Sequence, residues 1–153
     1  MLTLTSEYAL RALICLTRRV DDWPLPGKEL AREAGVPAKY LSAILGDLVR
    51  AGVLTATRGK NGGFRLAAPA DETPLHVVLE PFMRFEVRRC PFGNDECSDA
   101  DPCLAHARWL KVVQARMNFL ENTTLHDVSF HATPKRPRRT VKRKTKRRTD
   151  ARV

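Results

Sequence analysis

No apolar stretch in this 153-residue chain approaches the roughly 20 residues a helix needs to cross a bilayer. The opening run MLTLTSEYALRALICL lacks a basic start and a small-residue cleavage site, so it does not read as a secretory signal. Arg11 in its middle marks an amphipathic helix instead. There is no internal repeat, no Gly-rich phosphate loop, no nucleophilic Ser or Cys beside a plausible base, and no cofactor fingerprint. Those absences argue against an enzyme and against a small-molecule substrate. The expectation is a cytoplasmic chain with no membrane partner. Cysteine is scarce, at four residues, and in a reducing compartment thiols serve metal or redox chemistry more than disulfides.

Three of the four cysteines crowd one segment, CPFGNDECSDADPCLAH, as Cys90, Cys97 and Cys103, with His106 just beyond. The gaps of six and five residues exceed the usual spacing of paired zinc ligands. A bulkier inorganic core suits loops of that length, and the spacing points to an iron–sulfur cluster. Structural zinc and a bare thiol switch are the competing readings. Asp101 and Pro102 supply an N-cap and a first helical residue, which predicts a helix from Cys103. On it Cys103, His106, Leu110, Val113, Met117 and Leu120 fall in steps of three and four and share one face. The helix dipole then favours a thiolate in that first turn. Cys15, among Leu10, Leu13, Ile14 and Leu16, reads as a small core residue.

Charge is unevenly placed. Lys and Arg number 27 against 17 Asp and Glu, for a net charge of +10. Residues 135–153 hold 11 of the cations and a single acid, Asp150, which leaves 16 of each sign in residues 1–134. The segment KRPRRTVKRKTKRRTDARV has almost nothing apolar to bury, so residues 131–153 are expected to be a disordered basic tail. It is either a solubilising appendage or an electrostatic arm for nucleic acid.

The first half predicts a winged helix-turn-helix over residues 1–70. A first helix runs from about Ser6 to Arg19, with Thr5 as its N-cap and Ala9, Leu10, Leu13, Ile14 and Leu16 inward. A second covers about Lys28 to Ala34 and ends at Gly35, placed for a left-handed C-terminal residue. Val36-Pro37 leads into a third, Ala38 to Ala51, with Leu41, Ile44, Leu45 and Leu48 buried. Two strands follow, Val53 to Thr57 and Phe64 to Leu66, joined by Arg58-Gly59-Lys60-Asn61-Gly62-Gly63. There Asn-Gly and Gly-Gly should supply the positive φ of a tight hairpin. A short helix, a Gly turn, a second helix with exposed polar residues and a basic hairpin together point to duplex DNA. The residues expected at that interface are Lys28, Lys39, Tyr40, Ser42, Arg58, Lys60 and Asn61.

Residues 71–101 read as a connecting helix, Leu75 to Phe82, an extended stretch at Phe85-Glu86-Val87, and the cysteine loop. Residues 102–130 read as a long helix to about Glu121 and a last turn at Leu125 to Val128, capped by Thr124. The apolar seam of the long helix is expected to pair with its twin in a homodimer. The fold class is therefore mainly α: a winged helix-turn-helix DNA-binding domain with a long C-terminal dimerisation helix. His76, His126 and His131 carry no partner pattern.

Over roughly residues 1–130 the chain resembles the IscR/NsrR-type winged-helix regulators that carry an iron–sulfur cluster. The likeness rests on LTSEYALRAL, GVPAKYLSAILGDLVRAG, the wing RGKNGGFRLA and the three-cysteine loop, in that order. It implies a dimeric transcription factor whose DNA affinity follows cluster state, with Cys90, Cys97 and Cys103 as ligands. The fourth ligand divides the family. Cys103-Leu104-Ala105-His106 is similar to the IscR pattern, in which such a histidine completes a 2Fe–2S site. NsrR-like members use an acid near the start of the first helix, given by the other subunit, and Glu7 stands at that place. Sharing a face with Cys103 favours His106, and 2Fe–2S is favoured over 4Fe–4S. The six-residue first gap matches neither pattern and leaves nuclearity open. Ser42 stands where IscR presents an acid in its recognition helix, so cluster-dependent choice of DNA sequence is not carried over.

The expected function is a DNA-binding transcriptional regulator, a repressor by preference, whose cluster senses iron–sulfur supply, redox state or nitric oxide. Two alternatives stay open: a cluster-free metal-binding or thiol-switch regulator, and a chromatin-like protein that binds all duplexes alike.

Overall fold

Thr3 starts the first helix, α1 (Leu4–Arg18), in the computed structural model, which describes residues 2–83, 92 and 98–130. Its extended backbone lets its hydroxyl accept from the Ser6 N–H at 3.1 Å, while the Ser6 hydroxyl donates to the Thr3 carbonyl at 2.8 Å. This cap displaces the expected one at Thr5. Ser6 is fully buried, so its hydroxyl needs a partner, and Thr3 provides it two residues upstream of Thr5. The inward face comprises Ala9, Ala12, Leu13 and Leu16, with Leu10 and Ile14 only partly covered.

A short 3₁₀ turn (Val20–Asp22) follows, then α2 (Gly27–Ala34) and α3 (Ala38–Arg50). Arg19 ties the turn to α2: its guanidinium bonds Asp22 at 2.9 Å and pairs with Glu29 and Glu33. Gly35 has φ 64° and its N–H caps α2, as its position predicts; only glycine adopts this conformation without a steric cost. Leu41, Ile44, Leu45 and Leu48 of α3 are buried as expected. They pack with α1 and α2 into one apolar core, and each is worth about 1.5–3 kcal/mol of burial.

Among the described residues the sheet is one antiparallel hairpin, β1 (Leu54–Thr57) with β2 (Gly63–Leu66), in the register Leu54–Leu66, Thr55–Arg65, Ala56–Phe64 and Thr57–Gly63. The loop between them is wider than a two-residue turn. Its one positive φ lies at Gly59 (106°), not at Gly62 or Gly63. Those two glycines answer to space instead: a Cβ at Gly62 would lie 2.2 Å from the Thr57 carbonyl oxygen, and one at Gly63 2.4 Å from that of Leu25.

After a 3₁₀ turn (Ala70–Glu72), α4 spans Leu75–Leu79 and tightens into a 3₁₀ turn at Glu80–Phe82. Pro81 lacks the N–H needed to continue an α-helix there. The long helix α5 (His106–Asn122) and the final α6 (Leu125–Ser129) complete the described chain. Leu75 N–H donates to the Thr123 carbonyl at 2.9 Å and Leu125 N–H to that of Thr73 at 2.8 Å. This one-bridge ladder fixes the end of α5 to the start of α4. The expected cap of α6 is present as a capping box between Thr124 and Asp127. Arg18 Nε then donates to the Ser129 carbonyl at 2.7 Å, which closes α6 onto α1.

The start of α5 departs from expectation. Residues 101–105 are irregular and turn, Ala105 is the N-cap without a side-chain bond, and Asp101 and Pro102 cap nothing. A second contact within the same segment competes with the capping signal. Asp99 Oδ1 meets His106 Nε2 at 2.8 Å, and bringing them together loops the chain back rather than feeding it into a helix. Cys103 therefore lies outside the first helical turn, three residues before α5 begins.

Part of the expected seam packs inward. His106, Val113 and Leu120 are buried within the chain itself, and Leu120 joins the main core. The apolar residues α5 leaves exposed are Val112 and Phe119, each at 57 %. Spaced by seven, they form a separate stripe. Phe85-Glu86-Val87, Cys90, Cys97, His131 and residues 135–153 lie outside the described residues.

Candidate nucleic-acid interface and metal centre

The start of α2, the start of α3 and the strand β2 enclose a concavity of about 460 Å³, lined by Gly27, Lys28, Ala38, Lys39, Ser42, Leu45 and Phe64. The sequence builds it in steps. Gly27 leaves room: an added Cβ would come within 3.3 Å of the Phe64 ring. Pro37 turns the chain out of the Gly35 cap and accepts the Tyr40 and Leu41 N–H bonds at 3.0 Å each. Leu41 then points to the core, while Lys39, Tyr40 and Ser42 remain exposed on the other side. Three of the expected DNA residues, Lys28, Lys39 and Ser42, thus share one wall. Two ammonium groups and a hydroxyl around a groove suit phosphate and base edges. Tyr40 is exposed beside it at 65 %.

Arg58, Lys60 and Asn61 are exposed on the hairpin loop and do not line that concavity. They connect to it through β2, whose outer edge pairs with Leu25 just before α2. Sequence reasoning passed over that bridge, and over Arg65, which stands exposed on the wing with Nε donating to Thr55 Oγ1 at 3.1 Å. Arg65 was legible, since it alternates between the inward Phe64 and Leu66. The Leu25 bridge was not, because one residue of pairing leaves no periodicity.

Of the residues expected to bind metal, the described ones are Cys103, His106 and Glu7. His106 N–H donates to the Cys103 carbonyl at 3.0 Å, so the two are neighbours through one tight turn. His106 is 7 % exposed, and its ring is bonded to Asp99. A carboxylate behind an imidazole fixes its tautomer and ring orientation, which suits a histidine ligand. Phe92 meets Trp109 edge-on with ring centroids 5.7 Å apart, a ring contact beside this turn. Glu7 stands exposed in the first turn of α1. Among the described residues no group of three donors could hold a metal ion. Cys15 is partly covered by the core. Burial pushes its thiol pKa up, Glu33 adds to that, and Arg18 and Arg19 oppose it; a thiol so held suits packing rather than ligation.

No described helix is long and apolar enough to cross a membrane. Residues 2–130 match the family model Rrf2, described as an iron-dependent transcriptional regulator. The chain is 30 % identical over 128 residues to the protein rrf2 of Nitratidesulfovibrio vulgaris, covering 83 % of this chain and 85 % of the relative. It is 27 % identical over 128 residues to the HTH-type transcriptional regulator IscR of Pectobacterium atrosepticum, covering 83 % and 77 %. Among solved structures it is similar to IscR of T. potens, with a TM-score of 0.68 at 20 % identity over 84 % of this chain and 85 % of that one. It is also similar to CymR, the global cysteine regulator of B. subtilis, with a TM-score of 0.71 at 20 % identity over 84 % and 95 %. At those identities the two structures attest the winged-helix fold alone.

Proposed function

The chain belongs to the Rrf2 family of transcriptional regulators, and from that premise we propose that it is a homodimeric repressor whose hold on duplex DNA is set by an iron–sulfur cluster. The family is one of regulators, not enzymes. The observation that carries the DNA half is the groove shared by Lys28, Lys39 and Ser42 beside a seated wing. In this reading the start of α3 enters the major groove, with Lys39, Tyr40 and Ser42 toward the bases. Arg58, Lys60 and Asn61 of the wing contact the backbone or minor groove.

The cluster half is supported by the donor set. Cys90, Cys97 and Cys103 offer thiolates, and His106, backed by Asp99, offers an imidazole; both ligand types hold iron–sulfur centres. Glu7 of a second subunit is the rival fourth donor. IscR is the name borne by several relatives near 27 % identity. When bound, the cluster supplies a centre sensitive to redox state, iron supply or nitric oxide, with 2Fe–2S favoured. The chain's own part is to transmit that state. The turn Cys103–His106 heads α5, and α5 is held at its other end by the Pro74–Thr124 bridge to the body that carries α2 and α3. Loosening the turn frees one end of a lever fixed at the other. A dimer seated on a promoter blocks polymerase, hence repression.

The test is the visible spectrum, iron and acid-labile sulfide of protein purified without oxygen, paired with duplex binding before and after cluster removal. Brown protein with matched iron and sulfide, and DNA affinity that changes on removal, supports the reading. Colourless protein with stoichiometric zinc, or metal-free protein that binds DNA according to thiol oxidation, replaces the cluster with the metal or thiol-switch reading. Equal affinity for all duplexes replaces the regulator with a chromatin-like protein.

A further inference from the structure

We propose that the cavity beside the wing is an effector site for a small monocarboxylate with an aromatic body, whose binding alters how the wing is seated. The inference deepens the DNA-binding reading above, on which its regulatory half rests. The cavity measures about 770 Å³ and is walled by the end of α1, the turn after it, the wing, the segment that leaves the wing, and α6. That volume is in the range of sites for small organic molecules.

The walls set the chemistry of the occupant. Trp23, Leu66, Pro69 and Phe130 make the lining largely apolar and aromatic, and the Phe130 ring leans on that of His126 with centroids 5.0 Å apart. Two polar side chains of the lining are already engaged. Trp23 Nε1–H donates to the Leu16 carbonyl at 2.8 Å, and the Thr17 hydroxyl donates to that of Leu13 at 2.8 Å. Arg65 differs. Its Nε donates to Thr55 Oγ1 at 3.1 Å, which orients the guanidinium, and among the described residues no carboxylate pairs with it. The remaining N–H groups of such a fork suit a carboxylate. Asp71 also lines the cavity. A second negative charge on the ligand would be repelled there, so one carboxylate is the limit. At the rim, Val20 and Phe130 remain 54 % and 47 % exposed, and an aromatic body laid on them removes apolar surface from water.

Position gives the site its consequence. Trp23 precedes Leu25 by two residues, and Arg65 follows Phe64 directly. Leu25 and Phe64 form the bridge between the wing and the entrance of α2. A ligand held between Trp23 and Arg65 therefore bears on both sides of that bridge. Phe64 in turn lines the groove of Lys28, Lys39 and Ser42. A ligand that binds one seating of the wing better than another shifts duplex affinity by that difference.

The experiment titrates the full chain with hydrocinnamate and with its neutral amide, by calorimetry and amide NMR. A duplex selected from a random pool by the full chain is then titrated with and without saturating hydrocinnamate. Hydrocinnamate should bind with a Kd of about 1 mM or tighter, and the amide about tenfold more weakly. Resonances of Thr55, Leu66 and Ala68 should shift, and with them those of Leu25 and Phe64. Duplex affinity should change about fivefold or more. Arg65→Gln should weaken hydrocinnamate about tenfold or more. Ala68→Phe, which fills the cavity from an exposed position, should do the same; Arg65, exposed on the wing, keeps the test decisive if that variant does not fold. No binding at about 10 mM, equal binding of acid and amide, or undiminished binding to Arg65→Gln overturns the proposal. So do shifts centred on Lys39 and Ser42, and saturation that leaves duplex affinity unchanged. If the full chain binds no duplex selectively, the DNA-binding reading fails, while hydrocinnamate binding and the Leu25 and Phe64 shifts still decide the site.

Discussion

Leu25 and Phe64 exchange both backbone hydrogen bonds, Leu25 N–H to the Phe64 carbonyl at 3.0 Å and Phe64 N–H to the Leu25 carbonyl at 2.9 Å. This pair adds a third strand segment to a two-stranded wing and welds it to the entrance of α2. Gly63, next to it, admits the Leu25 backbone at a distance that no side chain would allow. We predict that Gly63→Ala forces the pair apart. Overpacking of this kind costs about 1–3 kcal/mol, read by denaturant unfolding. DNA affinity should fall even at temperatures where the variant stays folded, because the wing loses its seat. A variant as stable as the parent and binding equally well would refute the role given to this bridge.

Lys39 and Ser42 share the groove, whereas Lys60 sits on the wing loop away from it. Replacing a base-reading residue should change preference among duplexes by about 1–3 kcal/mol at one position of each half-site. Lys60→Ala should weaken all sequences alike and lower the salt slope by about 1. Selection from randomised duplexes with each variant separates the two. Identical selected sequences for Lys39→Ala, Ser42→Ala and the parent would remove α3 as the reader.

The helix-turn-helix was legible because its signals are local. Gly35 fixes one left-handed residue, and Leu41, Ile44, Leu45 and Leu48 repeat at helical spacing. The start of α5 was not legible for the opposite reason. Asp101-Pro102 is a good cap by composition, yet Asp99 reaching His106 competes with it, and no spacing rule announces that contact. The period of the long helix is equally ambiguous: Leu110, Val113, Met117 and Leu120 repeat as a dimer stripe would, but a helix packed on its own domain has the same period, and Val113 and Leu120 are buried within the chain. Thr5 and Thr3 are equivalent by type, and only the burial of Ser6 chooses between them.

Asp127 closes the capping box of α6, and hydrogen bonds from the Thr124 backbone and hydroxyl hold its carboxyl pKa below the usual range. A carboxylate with a depressed folded pKa stabilises at neutral pH, and that contribution is lost as pH falls through the folded value. Asp127→Asn should therefore lower the melting temperature at pH 7. The gap to the parent should close on acidification below the ordinary carboxylate range. Differential scanning calorimetry across a pH series reads this, and a gap independent of pH would count against the carboxylate as its source.

Val112 and Phe119, seven residues apart, are the large apolar side chains that α5 leaves open. We predict that they form the dimer seam. Phe119→Glu should yield monomers by sedimentation velocity and leave the melting of the monomer nearly unchanged, since surface substitutions shift stability by about 0.5 kcal/mol or less. Leu120→Ala should do the reverse, costing about 2–5 kcal/mol of core packing without first dissociating the dimer. Footprints should shrink from two half-sites to one for Phe119→Glu. Dimers that persist in both variants would place the seam elsewhere.

In the proposed cluster site, His106 and Glu7 compete as fourth donor. His106 has the features of a prepared ligand: it is buried, it follows Cys103 by one closed turn, and its Nε2 is engaged by Asp99. Glu7 is exposed at the start of α1 and could serve only by reaching another subunit's loop. We predict that His106→Ala makes the cluster labile or shifts its visible spectrum, whereas Glu7→Gln leaves both intact. Asp99→Ala should give a weaker form of the His106 defect, since loss of such a supporting carboxylate typically costs 10–100-fold in metal affinity. Cys15→Ala should do nothing to the cluster, and Cys97→Ala should abolish it. Imidazole ligation raises reduction potential relative to thiolate, so the parent should reduce more readily than an all-thiolate site, and replacing His106 by Cys should lower that potential. If Glu7→Gln strips the cluster while His106→Ala spares it, the site is completed across the dimer. Asp99 then serves only to order the turn at the head of α5, and dilution to monomer should release iron at the same concentration at which the dimer dissociates.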